Sequence, residues 1–265
     1  MLVLVHVMTQ AKKLLMVFDF DHTIVNANTD GVVQHIPGVD PVPQKLKDRI
    51  DDIGWTKFMQ EVFNWNHEHD VTKEDYFQTL DKIEFTPGFL QLLKTLKQDH
   101  GADLMILSDS NSVFIDRILS RNHLEDVFLR VFTNPAKFAA NGRLEVEPYH
   151  RQTSCDLSGT NLCKGQVLDM FLEDRRKSEG VNYSWVGYAG DGSNDFCPML
   201  RLKEDTDFAF ARAGDNYSIG RCMRKMKEKR GLEVKAKTLF WNSGDDIAQF
   251  LKENLPRSSS SRSSS

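Results

Sequence analysis

Short, unbroken apolar runs alternate along the chain with longer stretches in which apolar residues recur every three or four positions. Leu14-Leu15-Met16-Val17-Phe18 lies between lysines and Asp19, the pattern of a strand buried on both faces. Leu104-Met105-Ile106-Leu107 repeats it, then passes through polar Ser108-Asp109-Ser110-Asn111 into helical spacing at Phe114, Ile115, Ile118 and Leu119. Trp185-Val186-Gly187-Tyr188-Ala189 is a third run, closed by Gly190-Asp191-Gly192-Ser193-Asn194-Asp195, and Phe208-Ala209-Phe210-Ala211 is a fourth. Buried strands alternating with helices predict an α/β fold with a doubly wound, Rossmann-like parallel-sheet core. Ligands of such sheets bind outside the carboxyl ends of the strands. The polar segments just named all fall at those ends.

The stretch 27–85 is too long for a simple strand-to-helix connection of about 2–6 residues. Trp55, Phe58, Met59, Val62 and Phe63 follow helical spacing, and Thr72 with Asp75 forms a capping-box pattern ahead of Tyr76, Phe77, Leu80 and Ile83. The segment therefore predicts a small helical cap inserted after the first strand. Thr86-Pro87-Gly88 predicts a further helix with Thr86 as its N-cap and Pro87 in its first turn. Asn141-Gly142 predicts a hairpin at the sheet edge, and Ser243 opens a last helix. The resulting organisation is a leader at 1–13, a core at 14–26 and 86–256, a cap at 27–85 and a disordered serine tail at 257–265.

Composition narrows the function classes. In 265 residues, 40% hydrophobic and 27% charged positions describe an ordinary globular chain. A net charge of −4 provides no general positive field for nucleic acid or an anionic membrane, so neither is expected as a partner. The basic stretch 221–230, with Arg221, Arg224, Lys225, Lys227, Lys229 and Arg230, suggests an alternative as a non-catalytic binding protein. It lacks interleaved aromatics and reads better as a solvated helix face. Four cysteines, none at C-x-x-C spacing, suit reduced thiols and a cytoplasmic location. The apolar start has neither a basic region nor a cleavage pattern, and no apolar run approaches the roughly 18 residues of a membrane span.

The candidate chemistry is carboxylate-rich. Asp19 and Asp21 follow the first strand, and Asp191 and Asp195 follow the third. Like charges in low dielectric raise one another's pKa or require a cation, and hard oxygen ligands of this kind suit Mg²⁺. The order is D-x-D-x-T, a serine after the second strand, a lysine opening a helix (Lys164), and G-D-x-x-x-D after a third strand. That order resembles the haloacid dehalogenase-like phosphohydrolase superfamily. The segments 18–25, 108–111, 161–164 and 190–199 resemble its subfamily of phosphoethanolamine/phosphocholine phosphatases and pyridoxal phosphate phosphatases.

The resemblance implies a Mg²⁺-dependent phosphatase that hydrolyses small phosphomonoesters through an aspartyl-phosphate. Asp19 would be the nucleophile and Asp21 the general acid and base. Ser108 and Lys164 would hold the phosphate oxygens. Asp191 would ligate Mg²⁺ with Asp19 and the Asp21 carbonyl, and Asp195 would be a water-mediated ligand or an orienter. Asp30 and Asp109 match acidic positions aimed at a cationic amine in the phosphocholine-type relatives, while His22, between Asp21 and Thr23, would tune the acid or fill its loop. Pyridoxal phosphate, phosphoethanolamine and phosphocholine are the expected substrates, with phosphoserine as the alternative, and a homodimer is compatible with this class. The relatives have a cysteine-richer segment before the lysine. Here His150, Cys155 and Cys163 offer at most an incomplete zinc set, and loop cysteines are the expected reading.

Overall fold

The structure is a computed structural model that describes residues 13–256. The leader predicted before residue 13 and the predicted serine tail lie outside the described residues. Lys13, assigned above to the leader, opens the first strand and pairs with Asp103 at 2.7 Å.

Six parallel strands form one sheet: β1 (Lys13–Phe18), β2 (Asp103–Asn111), β3 (Arg130–Asn134), β6 (Tyr183–Gly190), β7 (Phe208–Arg212) and β8 (Lys237–Trp241). Their spatial order is β3-β2-β1-β6-β7-β8, so the chain reverses direction across the sheet beside β1. That reversal is the switch point at which doubly wound sheets open a crevice. Register aligns Phe18 with Ile106 and with Ala189, which brings the segments after β1, β2 and β6 to one edge.

The unbroken apolar runs follow from burial on both faces. Met16, Phe18, Leu104, Ile106 and Phe210 point into one core, while Leu15, Val17, Met105, Leu107 and Tyr188 point into the other. The first core is covered by α6 (Phe89–Gln98), α7 (Ser112–Arg121) and α11 (Gly244–Asn254). The second is covered by α8 (Lys164–Glu179), the single turn α9 (Phe196–Met199) and α10 (Ile219–Arg230). Each fully buried side chain of this size contributes about 1.5–3 kcal/mol of transfer free energy.

The insert after β1 contains α1 (Thr29–Val33), the short turns α2 (Gln44–Lys47) and α3 (Ile50–Ile53), α4 (Trp55–Glu68) and α5 (Lys73–Leu80). The predicted stripe on α4 is buried at Phe58, Met59, Val62 and Phe63, and Trp55 stays 40% exposed. Phe63 meets Tyr76 and Phe114 edge-on, which seats the insert on α7. The capping box of Thr72 and Asp75 forms as expected. The predicted hairpin also forms, as β4 (Ala136–Phe138) paired antiparallel with β5 (Leu144–Val146), with Gly142 at φ 86° in the turn. The hairpin packs on the insert: Gln60 of α4 donates to the Leu144 carbonyl at 3.2 Å and accepts from the Val146 N–H at 2.9 Å.

One predicted cap is corrected. The helix after 86–88 begins at Phe89 with Gly88 as N-cap at φ 78°, and Thr86 Oγ1 is buried without a partner. The reason is tertiary. The start of α11 lies so close that a Cβ on Gly88 would come within 2.8 Å of the Asp245 nitrogen, and the Gly244 N–H donates to the Pro87 carbonyl.

Candidate active site

Asp19 is the first residue beyond β1, and its N–H donates to the Ala189 carbonyl at 2.9 Å, fastening it to the neighbouring strand. One carboxylate oxygen accepts from the Phe20 N–H at 2.7 Å, and the other meets Lys164 Nζ at 2.7 Å. Lys164 opens α8 directly after Cys163, is 1% exposed, and is shared with Asp195 at 2.8 Å. Burial alone would depress the Lys164 pKa, but Asp19 and Asp195 together hold it above its ordinary value.

All four acceptor directions of Asp195 are occupied. One oxygen accepts from Lys164 Nζ and from the Tyr188 hydroxyl at 2.7 Å, and the other from the N–H groups of Asp191 at 3.0 Å and Gly192 at 2.9 Å. That leaves no acceptor direction of Asp195 free for a direct metal bond. Gly190 makes the arrangement spatially feasible, since a Cβ there would sit 2.3 Å from the Asp195 carboxyl carbon. Tyr188 was missed by the sequence reading, which took it only as part of an apolar strand.

Oxygens of Asp19, Asp191 and Asp195 lie within 4.8 Å of one another. Burial, opposed by Lys164 and reinforced by Asp195, pushes Asp19 up to about 7. Burial together with Asp19 and Asp195 pushes Asp191 up to about 8. A buried group of hard oxygens under this mutual repulsion fits a divalent cation of the Mg²⁺ class, with Asp19 and Asp191 offering the free lone pairs.

Asp21 lies in the tight turn 20–24 and is held well above the usual carboxylate range by burial and by the charges of Asp30 and Asp19. Thr29 donates to one of its oxygens at 3.0 Å, while the other is buried with no partner. His22 adopts φ 52° in the same turn, and Arg212 of β7 donates to its carbonyl and to Asn26 at 2.6 Å. The His22 carbonyl thus ties the turn to β7. Arg212 went unnoticed in the sequence because the partners are 190 residues apart. Ser108 is fully buried at the end of β2, its Oγ accepting from the Ser110 N–H at 3.3 Å.

Asp30 and Asp109 line one small pocket between insert and core, together with Trp55, Thr56, Met59 and Asn134. The Trp55 indole N–H donates to Asp30 at 2.7 Å. Burial, opposed by that hydrogen bond, pushes Asp30 up to about 7, and Asp109 adds to the rise. Asn194 donates to Asp109 at 3.0 Å, tying the end of β2 to the turn after β6.

The other sequence candidates are resolved differently. His150 Nε2 accepts from the Cys163 N–H, and the thiol that joins Cys155 and Cys163 is Cys197. On α10, Lys227 pairs with Glu233 and Arg230 with Asp156, so part of the basic face is neutralised locally. Among the described residues, no helix is long and apolar enough to cross a membrane.

Comparison with known proteins agrees with this geometry. The profile of a family described as "Putative Phosphatase" matches residues 14–255. The chain is 40% identical over 243 residues to human pyridoxal phosphate phosphatase PHOSPHO2, covering 91% of this chain and 98% of the relative. It is 31% identical over 247 residues to human phosphoethanolamine/phosphocholine phosphatase, covering 92% and 90%. An apo structure of phosphoserine phosphatase superposes with a TM-score of 0.58 at 19% identity, covering 90% of this chain and 99% of that one, which reflects the shared fold. The chain belongs to the haloacid dehalogenase-like phosphatases, in the subfamily that contains the pyridoxal phosphate and the phosphoethanolamine/phosphocholine phosphatases.

Proposed function

We propose that this phosphatase hydrolyses small phosphate esters whose alcohol part carries a positive charge, with the phosphoethanolamine/phosphocholine class as preferred substrates. The observation that carries this reading is the pocket between insert and core. Two carboxylates, Asp30 and Asp109, and the Trp55 indole face one small volume. An ammonium group would offset the burial cost that now raises Asp30, and a cation gains further from an aromatic wall. The lining has no lysine or arginine, so the carboxylate of phosphoserine would meet like charge. Pyridoxal phosphate is the second reading, supported by the 40% identity to a phosphatase of that name. Its ring nitrogen can also present a positive charge to an aspartate.

In this mechanism Asp19 attacks phosphorus and the alcohol departs with a proton from Asp21. Burial and the charges of Asp30 and Asp19 raise the Asp21 pKa, which favours the protonated form that a general acid requires. Once deprotonated, Asp21 takes a proton from the water that cleaves the aspartyl-phosphate. Ser108 and Lys164 bind the phosphoryl oxygens as charge shifts in the transition state. Asp19 and Asp191 would hold Mg²⁺, with Asp195 orienting Lys164 and the backbone of residues 191–192. Bound there, the cation supplies positive charge that keeps both carboxylates ionised and offsets repulsion between nucleophile and phosphate.

The test is phosphate release with Mg²⁺ or EDTA across phosphoethanolamine, phosphocholine, pyridoxal phosphate and phosphoserine, beside Asp19→Asn and Asp30→Asn. The proposal expects Asp19→Asn to be inactive, and Asp30→Asn to raise KM for the two amine esters with a smaller change in kcat. If pyridoxal phosphate is hydrolysed fastest and Asp30→Asn leaves the amine esters unchanged, the second reading replaces the first.

A further inference from the structure

Three of the four cysteines converge although they are far apart in sequence. Cys155 Sγ lies 3.5 Å from Cys197 Sγ, and Cys163 Sγ lies 3.7 Å from it, with all three sulfurs within 4.8 Å of one another. A tetrahedral metal with bonds of about 2.3 Å to sulfur places its thiolates about 3.8 Å apart, close to the two shorter separations. A fourth donor is at hand, since Ser158 Oγ is 3.7 Å from Cys155 Sγ and 3.4 Å from Cys163 Sγ. Burial pushes the Cys197 thiol up to about 12, so a bound cation would have to displace its proton. Arg201 lies beside Cys197, and both fit only because residue 165 is glycine: a Cβ there would meet the Arg201 guanidinium at 2.6 Å and Cys197 Sγ at 2.7 Å.

We infer that Cys155, Cys163 and Cys197 form a binding site for a soft, tetrahedral cation of the zinc class, with Ser158 Oγ or a water as fourth ligand. Binding releases the thiol protons and leaves a three-thiolate centre of net charge −1 beside the Arg201 cation. The site is separate from the carboxylate centre and of opposite chemical character, because soft sulfur and hard oxygen select different cations. Its place in the chain gives it a structural purpose. Cys163 immediately precedes Lys164, and Cys197 follows Asp195 by two residues, so one ion would pin the loop 152–162 to the two segments that carry the buried ion pair.

The experiment measures zinc in the purified full-length protein by elemental analysis, and records the absorption spectrum after Co²⁺ replaces it. The expected result is one equivalent of zinc and an intense near-ultraviolet sulfur-to-cobalt band. Cys163→Ser and Cys197→Ser should lose zinc, whereas Cys222→Ser and Asp191→Asn should keep it. Because a core cysteine variant can misfold, the cobalt spectrum of the unaltered protein is read independently of the variants. Absence of both zinc and the cobalt band overturns the proposal, as does an unchanged band in Cys197→Ser. A Cys155–Cys197 disulfide in protein purified under reducing conditions, found by peptide mass mapping, would also overturn it.

Discussion

Replacing Asp195 by asparagine changes one atom and removes two of the four hydrogen bonds its carboxylate accepts. The carboxylate receives four donors, two on each oxygen. The amide keeps one acceptor oxygen, and its NH₂ must face the other two donors. The less costly rotamer keeps the oxygen toward Lys164 and Tyr188 and sets the NH₂ against the N–H groups of Asp191 and Gly192. Each buried donor left unsatisfied costs roughly 1–3 kcal/mol, and Lys164 also loses a full countercharge at 2.8 Å. The sum is about 3–5 kcal/mol, in line with breaking one side of a buried ion pair, against a total stability of about 5–15 kcal/mol. For a chain of this size that lowers Tm by about 6–12 °C. Thermal unfolding followed by near-ultraviolet circular dichroism in EDTA reads the shift. Tyr188→Phe removes a single donor and should cost about 1 kcal/mol. The double variant should cost less than the sum of the two, because both substitutions act on one network. A Tm within about 2 °C of the unaltered protein for Asp195→Asn would refute the view that these four bonds hold the turn.

Other consequences are equally open to measurement. Asp30 is buried with its pKa pushed from 3.8 up to about 7, so the folded state binds a proton that the unfolded state releases. Its favourable contribution is complete below about pH 4 and fades as pH rises to about 7, by roughly 4 kcal/mol at most. Tm against pH in EDTA should therefore fall less steeply across that window in Asp30→Asn, and parallel profiles would contradict the assignment. Gly190→Ala should abolish phosphate release and lower Tm, because the added methyl occupies the Asp195 carboxyl position; an active, stable variant would show that the turn can relax. Arg212→Ala, which frees the His22 carbonyl and Asn26, should cut kcat at least tenfold while the circular dichroism spectrum remains native.

The chain announces those features whose cause is local. Runs such as 14–18 are apolar throughout because both sheet faces are covered, and the turns at 72–75 and 141–142 carry their hydrogen-bonding logic in adjacent residues. The acids of the site could be placed because a strand must end before its polar groups can face a ligand. What stayed hidden depends on distant partners. Gly88 replaces Thr86 as a cap only because α11 arrives from 150 residues downstream. Tyr188 reads as another apolar strand position until its hydroxyl is seen on Asp195, and Cys197 joins Cys155 and Cys163 only once α9 is folded against α8.

The contact between Gln60 and the β4–β5 hairpin gives the insert a directional hold that apolar packing lacks. Gln60 makes two hydrogen bonds to β5, and Asn161 adds a third by donating to Thr56 at 2.9 Å. At about 1 kcal/mol net for each, the three add roughly 3 kcal/mol to the packing of Phe63 and Tyr76 on Phe114 that seats the insert. Gln60→Ala would remove two of the three at once and leave apolar packing, with the Asn161 bond, to set the angle of the insert.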